Sequence, residues 1–460
     1  MRARGAIVGL LLVAWTGLPA ARCEEPGQTL ATDSPNSPDP AKADAPAPPG
    51  ETLEQAWTIA LSVNQQLEAK RRGVMAAEEK LGSVRGQRWP QVEAETSYRV
   101  RSGEPSFRVE PDGSLLPGMT FPYQQNESFA LRAALEVPLY TWGRIGHGIA
   151  AGESRVKSLS LQADGAAMGL KLRVAEQYVG VLRAQREVEV VQSTVRRLES
   201  HLRDVELLFK HAQVPRNDVL AARVALAHAR QGAIQAENRL DALRAGYNRL
   251  LGRSLDAPVS IADLSVDSEA GDIESLTAAA LRNRPETAAL AAEAAALQHE
   301  ACSLRAKNRP QINLRGEYAF EENRFAQPEG IAAAGVAVRW NFFDGWQGRH
   351  EAAAVAEQAE GMARLRTDEQ TRIALEVRQA WLDCQETRRR LAITPQAIEQ
   401  AEENLRVARE RYKSGLTINT EVLDAEKLLI EARRDHDAAR YDAVMASVRL
   451  RYATGELKPD

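Results

Sequence analysis

Phe209-Lys210-His211-Ala212-Gln213-Val214-Pro215-Arg216-Asn217-Asp218-Val219-Leu220 and Tyr412-Lys413-Ser414-Gly415-Leu416-Thr417-Ile418-Asn419-Thr420-Glu421-Val422-Leu423 read as one stretch written twice. Lys210 falls on Lys413, an offset of 203, and the same offset puts Leu139-Tyr140-Thr141 on Phe342-Phe343-Asp344 and Leu251-Gly252 on Thr454-Gly455. Upstream the offset is 220: Ala60-Leu61 falls on Ala280-Leu281, Pro90-Gln91 on Pro310-Gln311 and Tyr98 on Tyr318. The first half therefore carries 17 extra residues between Tyr98 and Leu139. A long internal period of this kind marks a duplicated structural unit with insertions confined to loops.

Each half reads helix, strand, loop, strand, very long helix, reversal, helix. In the first, Thr52 to Arg88 reads as one helix ended by Trp89-Pro90, because proline disfavours helical geometry in the residue before it. A period of two follows. Val92, Ala94, Thr96, Tyr98 and Val100 alternate with Gln91, Glu93, Glu95, Ser97, Arg99 and Arg101, and Phe129, Leu131, Ala133, Leu135, Val137 and Leu139 alternate with Ser128, Ala130, Arg132, Ala134 and Glu136. These are strands with one polar face, over about 91–101 and 127–139, joined by a Gly- and Pro-rich loop. Ile312 to Phe320 and Val336 to Phe342 repeat the pattern, over about 311–321 and 333–343. Strands of about ten residues cross a bilayer when tilted. Trp89, Tyr140, Trp142, Trp340, Phe342 and Trp346 gather at the helix-side ends of these strands, where amphipathic rings form a girdle at the headgroups.

Helical periodicity then runs over about 143–212 and 346–414. Val191, Val195, Leu198, Leu202, Val205 and Phe209 are spaced 4, 3, 4, 3, 4, and Ile398, Ala401, Leu405, Ala408 and Tyr412 keep the phase. Apolar residues averaging one in 3.5 demand a partner helix and a left-handed supercoil. Shorter helices over 216–251 and 418–454 supply the partners, after reversals at Pro215 and Gly415. Pro395 predicts a kink or break.

The termini and composition narrow the class. Residues 1–23 read as a secretory signal, with Arg2 and Arg4 ahead of an apolar core and Cys23 as a candidate for lipid attachment, although Arg22 stands where a small residue belongs. Residues 24–51 are a Pro/Ala-rich arm that buries no core. Repeat one then spans 52–255, an equatorial connector 256–274 and repeat two 275–457. The net charge of -4 becomes about -7 without the leader arginines, which argues against nucleic acid. Cys302 and Cys384 occupy unmatched positions and read as small helix residues. His147 and His350 match across the halves without ligand or triad spacing, and neither a phosphate loop nor a metal-spaced Cys pair occurs. The sequence gives no reason to expect an enzyme, a metal or a cofactor.

Four strands cannot close a barrel, and lipid does not tolerate free strand edges. Three copies would supply twelve strands above a ring of coiled-coil helices. At Phe342-Phe343-Asp344-Gly345 and Tyr412-Lys413-Ser414-Gly415-Leu416, and in its two copies, the sequence resembles the TolC family of outer-membrane channels. The resemblance implies a mainly α protein with membrane β structure: a trimeric 12-stranded β-barrel, four strands per chain, continued by a long α-helical barrel. It implies an exit duct of a tripartite efflux pump or type I secretion system, working as a homotrimer with a periplasmic adaptor and an inner-membrane RND or ABC transporter. By position, Glu421 and Asp424 match acidic residues that ring the family's periplasmic aperture, and Asp218 and Tyr412 match its closing network, where Thr417 replaces an arginine. Gln213, Val214, Pro215, Gly415 and Leu416 match the tips where an adaptor docks. The competing reading is a soluble envelope scaffold or adaptor without a pore, and the transported substrate stays open.

Overall fold

The computed structural model describes residues 50–109, 119–265 and 271–458. The proposed signal, Cys23 and the arm up to residue 49 lie outside the described residues. Glu51, assigned to that arm by composition, belongs to the folded body. Its backbone forms a parallel bridge with Ile261, and its carboxylate takes both Arg253 guanidinium nitrogens at 2.9 and 2.8 Å.

The segment read as one helix from Thr52 is two, α1 (Leu53–Val63) and α2 (Gln65–Gly86). Thr52 and Gln55 form a capping box at the start of α1. Asn64 has an extended backbone, and its carboxamide oxygen accepts from the Gln66 and Leu67 amides at 3.1 Å, so the residue that stops one helix caps the next. Strand β1 (Gln91–Val100) follows, then β2 (Ser106–Val109) and β3 (Met119–Pro122), then β4 (Glu127–Tyr140). The β2/β3 hairpin lies within the insertion read from sequence as loop; its pairing of Phe107 with Phe121, rings 5.6 Å apart, gives the hairpin its own apolar contact. Helix α3 (Arg144–Lys210) has 67 residues, about 100 Å at 1.5 Å per residue. It returns as α4 (Arg216–Leu250).

The second half runs α5 (Ile273–Asn283), α6 (Pro285–Lys307), β5 (Gln311–Glu321), β6 (Gly330–Arg339), α7 (Gln347–Lys413) and α8 (Asn419–Ala453). Arg284 separates α5 from α6 as Asn64 separates α1 from α2, with Pro285 at the first helical position. Strand β6 begins and ends earlier than the alternation suggested. Its partner β5 starts at Gln311, so pairing stops at Arg339, and Trp340 and Phe342 lie beyond the strand. Helix α7 also runs unbroken through Pro395. The proline deprives the Leu391 carbonyl of its usual donor, and the Thr394 hydroxyl, 3.3 Å away, supplies another.

Strands β1, β4, β5 and β6 form one antiparallel sheet in that order. Pro138 sits at a register irregularity in β4, the kind of site where a strand accepts proline. Among the described residues, the outer edges of β1 and β6 have no strand partner.

Helix α3 packs along α2, α4 and α6 and reaches α8, while α7 packs along α5, α6 and α8. The largest buried cluster joins Trp57, Leu170, Val174, Tyr178, Tyr247 and Tyr441 midway along the helices. A second, at the far end from the sheet, joins Val205, Val219, Leu405, Tyr412, Val422 and Leu429. Because α3 faces both α4 and α8, its buried stripe differs from the heptad read in sequence. Thr194 and His201 are buried with Val191, Leu198 and Val205, whereas Val195 and Leu202 are half-buried and Phe209 is exposed. Cys384 is buried and Cys302 half-buried, both as free thiols. His147 stacks on His299, rings 5.9 Å apart.

Candidate functional site: a two-faced sheet and the helix tips

Register decides what the sheet can do. Val92, Thr96 and Tyr98 of β1 stand opposite Leu135, Leu131 and Phe129 of β4. Leu131 and Val137 stand opposite Phe320 and Leu314 of β5, and Leu314 and Tyr318 face Val336 and Ala332 of β6. Side chains alternate along a strand, so one face is apolar across all four strands. The other face carries Glu95, Arg132, Glu136, Arg315 and Glu317, with Arg132 and Glu317 paired at 2.8 Å and Arg315 and Glu136 at 3.4 Å. Neither face is covered: Val92, Val336 and Val338 are each more than 60% exposed. An open apolar area of this extent marks a surface made for lipid or for partners.

The aromatic residues sit where the strands meet the helices. Trp89, Tyr140, Trp142, Trp340, Phe342 and Trp346 are all exposed. Tyr140 and Trp142 meet edge to face at 5.1 Å, Trp340 and Phe342 at 6.2 Å, and Phe343 and Trp346 at 6.3 Å. Arg309 lies over Trp142 and Arg349 over Trp346. Two consecutive left-handed residues turn the chain from sheet to helix in each half: Trp142 and Gly143, then Gly345 and Trp346.

At the opposite end the helices reverse. Ala212 and Gly415 both adopt positive φ, and the next amide donates five residues back, Gln213 to the Leu208 carbonyl and Leu416 to that of Arg411. Gln213, Pro215, Gly415 and Leu416 are exposed there, and Val214 is half-buried.

Just behind the reversals, four helices meet through polar groups. The Tyr412 hydroxyl on α7 donates to the Asp218 carboxylate on α4 at 3.1 Å. The Asn419 amide on α8 donates to the Asp218 carbonyl at 3.2 Å, and the Asn419 side-chain oxygen lies 2.7 Å from Nε2 of His201 on α3. About two helix turns deeper along α8, Glu426 is 2% exposed and accepts from Arg197 at 3.0 Å and from Arg409. Burial pushes the His201 imidazole below its ordinary value and the neighbouring Arg409 adds to this, against the opposing pull of Asn419, Glu426 and Asp204. Burial and the Asp218 carboxylate push the Tyr412 phenol upward.

Of the acidic candidates, Asp218 is half-buried in this network, while Glu421 and Asp424 are exposed. Glu421 lies 3.7 Å from Arg411 of α7. Thr417 is half-buried, and Asn419, two residues on, makes the connection to Asp218. Sequence reasoning missed His201, Asn419, Glu426, Arg197 and Arg409. The available signal was the spacing Thr194, Leu198, His201, Val205, which places two polar groups in an apolar seam. Among the described residues, no cluster of three or more His, Cys, Asp or Glu could hold a metal, and no helix is long and apolar enough to cross a membrane.

Comparison with known proteins gives this architecture a family. The alkaline protease secretion protein AprF of Pseudomonas aeruginosa is 24% identical over 352 residues, 72% of this chain and 70% of the relative. The proteases secretion protein PrtF of Dickeya chrysanthemi is 22% identical over 425 residues, 88% of each chain. The solved outer-membrane channel OprN superposes with a TM-score of 0.75 at 20% identity, over 88% of this chain and 89% of its own, a likeness of fold. The sequence model of the family described as outer membrane efflux protein matches residues 58–253 and 276–456. A match that runs through both halves makes this chain a member of the outer membrane efflux protein family.

Proposed function

We propose that three copies of this chain close a twelve-stranded barrel in the outer membrane and a helical barrel beneath it, forming a passive exit duct for substrates handed over by a periplasmic adaptor and an inner-membrane transporter. The observation that carries this reading is the register of the four strands, which sorts apolar and charged side chains onto opposite faces while leaving both sheet edges unpaired. Lipid forbids such edges, and closure against neighbouring copies removes them. In a barrel so closed the charged face lines water and the apolar face meets acyl chains. The two halves, with their equal long helices of 67 residues and equal return helices of 35, act as duplicated units that give three chains a nearly sixfold wall.

The helix tips are then the periplasmic mouth. Glu421 and Asp424 ring it as a cation-attracting constriction, Asp218 and Tyr412 help hold it shut, and the reversals around Val214 and Leu416 receive the adaptor. The exposed aromatic residues serve as the girdle at the periplasm-facing membrane surface. The names of the two protease secretion relatives favour type I secretion, with an ABC transporter as the inner-membrane partner, over drug efflux. The test is single-channel recording of the purified trimer in planar bilayers. Discrete cation-selective steps are expected, and E421A/D424A should lower the cation preference. A protein that stays monomeric and extractable without detergent, and conducts nothing, overturns the duct in favour of a soluble scaffold.

A further inference from the structure

His201 occupies a position that a hydrophobic residue would fill more cheaply. It is buried at the junction of α3, α4, α7 and α8, with its ring 5.7 Å from that of Tyr412 and its Nε2 on Asn419. Asn419 uses its amide to donate to the Asp218 carbonyl, so its oxygen is the acceptor and the His201 Nε2 carries the proton. Neutral and charged rings both make that bond, and it is burial that favours the neutral one, whose Nδ1 is the atom that would take a second proton.

The charged groups around it already balance without an imidazolium. From α3 itself come Arg197 and Asp204, from α7 Arg409 and Tyr412, from α8 Glu426 and from α4 Asp218. Glu426 already receives two guanidinium groups, those of Arg197 and Arg409. Asp204 is paired with Lys413 at 3.1 Å, and the Asp218 carboxylate accepts from Tyr412. An imidazolium here would be a third cation beside one buried carboxylate, in a site where water is excluded and charge is costly.

We propose that His201 is an acid-sensitive pin of the helix tips: its neutral form locks Asn419, and with it α8, onto α3 and α4, and its protonation loosens that junction. Histidine suits this because imidazole is the side chain whose charge changes closest to neutral pH, and burial moves that change to more acidic pH here. The burial that disfavours the charged ring disappears once the tips part and water enters, so proton uptake and loosening drive each other. The effect on flow rests on the reading of the tips as the mouth; the effect on the tips does not.

The test compares the full-length protein in detergent with H201Q, whose neutral amide can still donate to Asn419, and with H201N as a second neutral variant. Hydrogen exchange of the segments 197–222 and 405–430 is measured at about pH 7.5 and about pH 5 and corrected for the intrinsic pH dependence of exchange. For the unaltered protein, exchange in both segments is expected to rise roughly threefold or more on acidification, with no such rise in the variants. Absence of a rise in the unaltered protein overturns the pin, and so does an equal rise in whichever variant assembles. Bilayer currents recorded in parallel separate the two proposals. Acid-dependent exchange without current in any protein leaves the pin standing and removes the duct. Current with the same acid response in H201Q as in the unaltered protein does the reverse.

Discussion

The hydroxyl of Tyr412 donates to the carboxylate of Asp218 across 3.1 Å and so ties the end of one long helix to the start of the other half's return helix. Tyr412 is only 4% exposed, and its raised pKa keeps the phenol protonated throughout the physiological range. The contact is thus a neutral donor on an anion, stronger than a neutral pair. Replacing Tyr412 with Phe removes the donor while keeping the ring against His201, and leaves the half-buried Asp218 to water. A loss of about 1–2 kcal/mol is expected, visible as faster hydrogen exchange at the tips and longer open dwell times in bilayers. Unchanged exchange would mean that the tyrosine holds by packing alone.

The two reversals make a second, opposite prediction. Ala212 and Gly415 occupy equivalent places with φ of 56° and 70°, but only one is glycine. A Cβ in the left-handed region costs roughly 1–2 kcal/mol, part of which glycine returns through its freer unfolded chain. A212G should therefore stabilise the fold by about 0.5–1 kcal/mol per chain and raise the melting temperature slightly. G415A, where a Cβ would meet open space but the backbone stays strained, should lower it. The same sign for both substitutions would place the strain elsewhere.

These positions show how much the sequence could tell. Gly415 announces a left-handed turn because glycine is the usual residue there, and the offset of 203 transfers the turn to Ala212, which alone announces nothing. The strand starts at Gln91 and Gln311 follow prolines, so the change of period was legible in both halves. The break at Asn64 was not, because the apolar pattern continues across it and the Asn64 side chain caps α2, whereas the matching break at Arg284 carried a signal in Pro285 that went unread. The polar junction behind the tips was hidden for a related reason. Heptad counting assigns each helix one partner, and α3 has several, so His201 looked like a flanking position. Likewise nothing in the chain around Pro395 advertises that Thr394 would supply a donor to Leu391.

Neighbouring residues on β6 test the two faces of the sheet. Val336 lies on the apolar face opposite Leu314, and Ala337 lies on the charged face opposite Asn313. If the sheet closes into a membrane barrel, V336R places a charge in acyl chains at a cost of about 2–4 kcal/mol per copy near the midplane, while A337R places the same charge in water. V336R should fail to appear as a heat-sensitive trimer in the outer-membrane fraction, and A337R should assemble and shift ion selectivity toward anions. Equal assembly of both would contradict a lipid-facing apolar side.

Arg284, which divides α5 from α6, carries a buried ion-pair cluster of the helical body. Its side chain is 1% exposed, donates twice to Glu286 and once to Glu376, and stacks 4.8 Å from the Tyr452 ring. Burial alone would raise the Glu286 carboxyl, but the guanidinium outweighs it and holds the group below its usual range. A carboxyl whose folded pKa is depressed contributes stability that is complete above its unfolded value, near 4.5, and that is lost as pH falls through the folded value. The unaltered protein should therefore become easier to melt in that acid window. R284M leaves two carboxylates facing an apolar stem, which should cost about 3–5 kcal/mol at neutral pH. Acid should then relieve part of that loss, because protonating Glu286 removes a carboxylate that has lost its guanidinium partner. The pH slope of the melting temperature should thus change sign between the two proteins below about pH 5. Parallel slopes would show that Arg284 serves α5 and α6 by packing against Tyr452, with its two ion pairs contributing nothing.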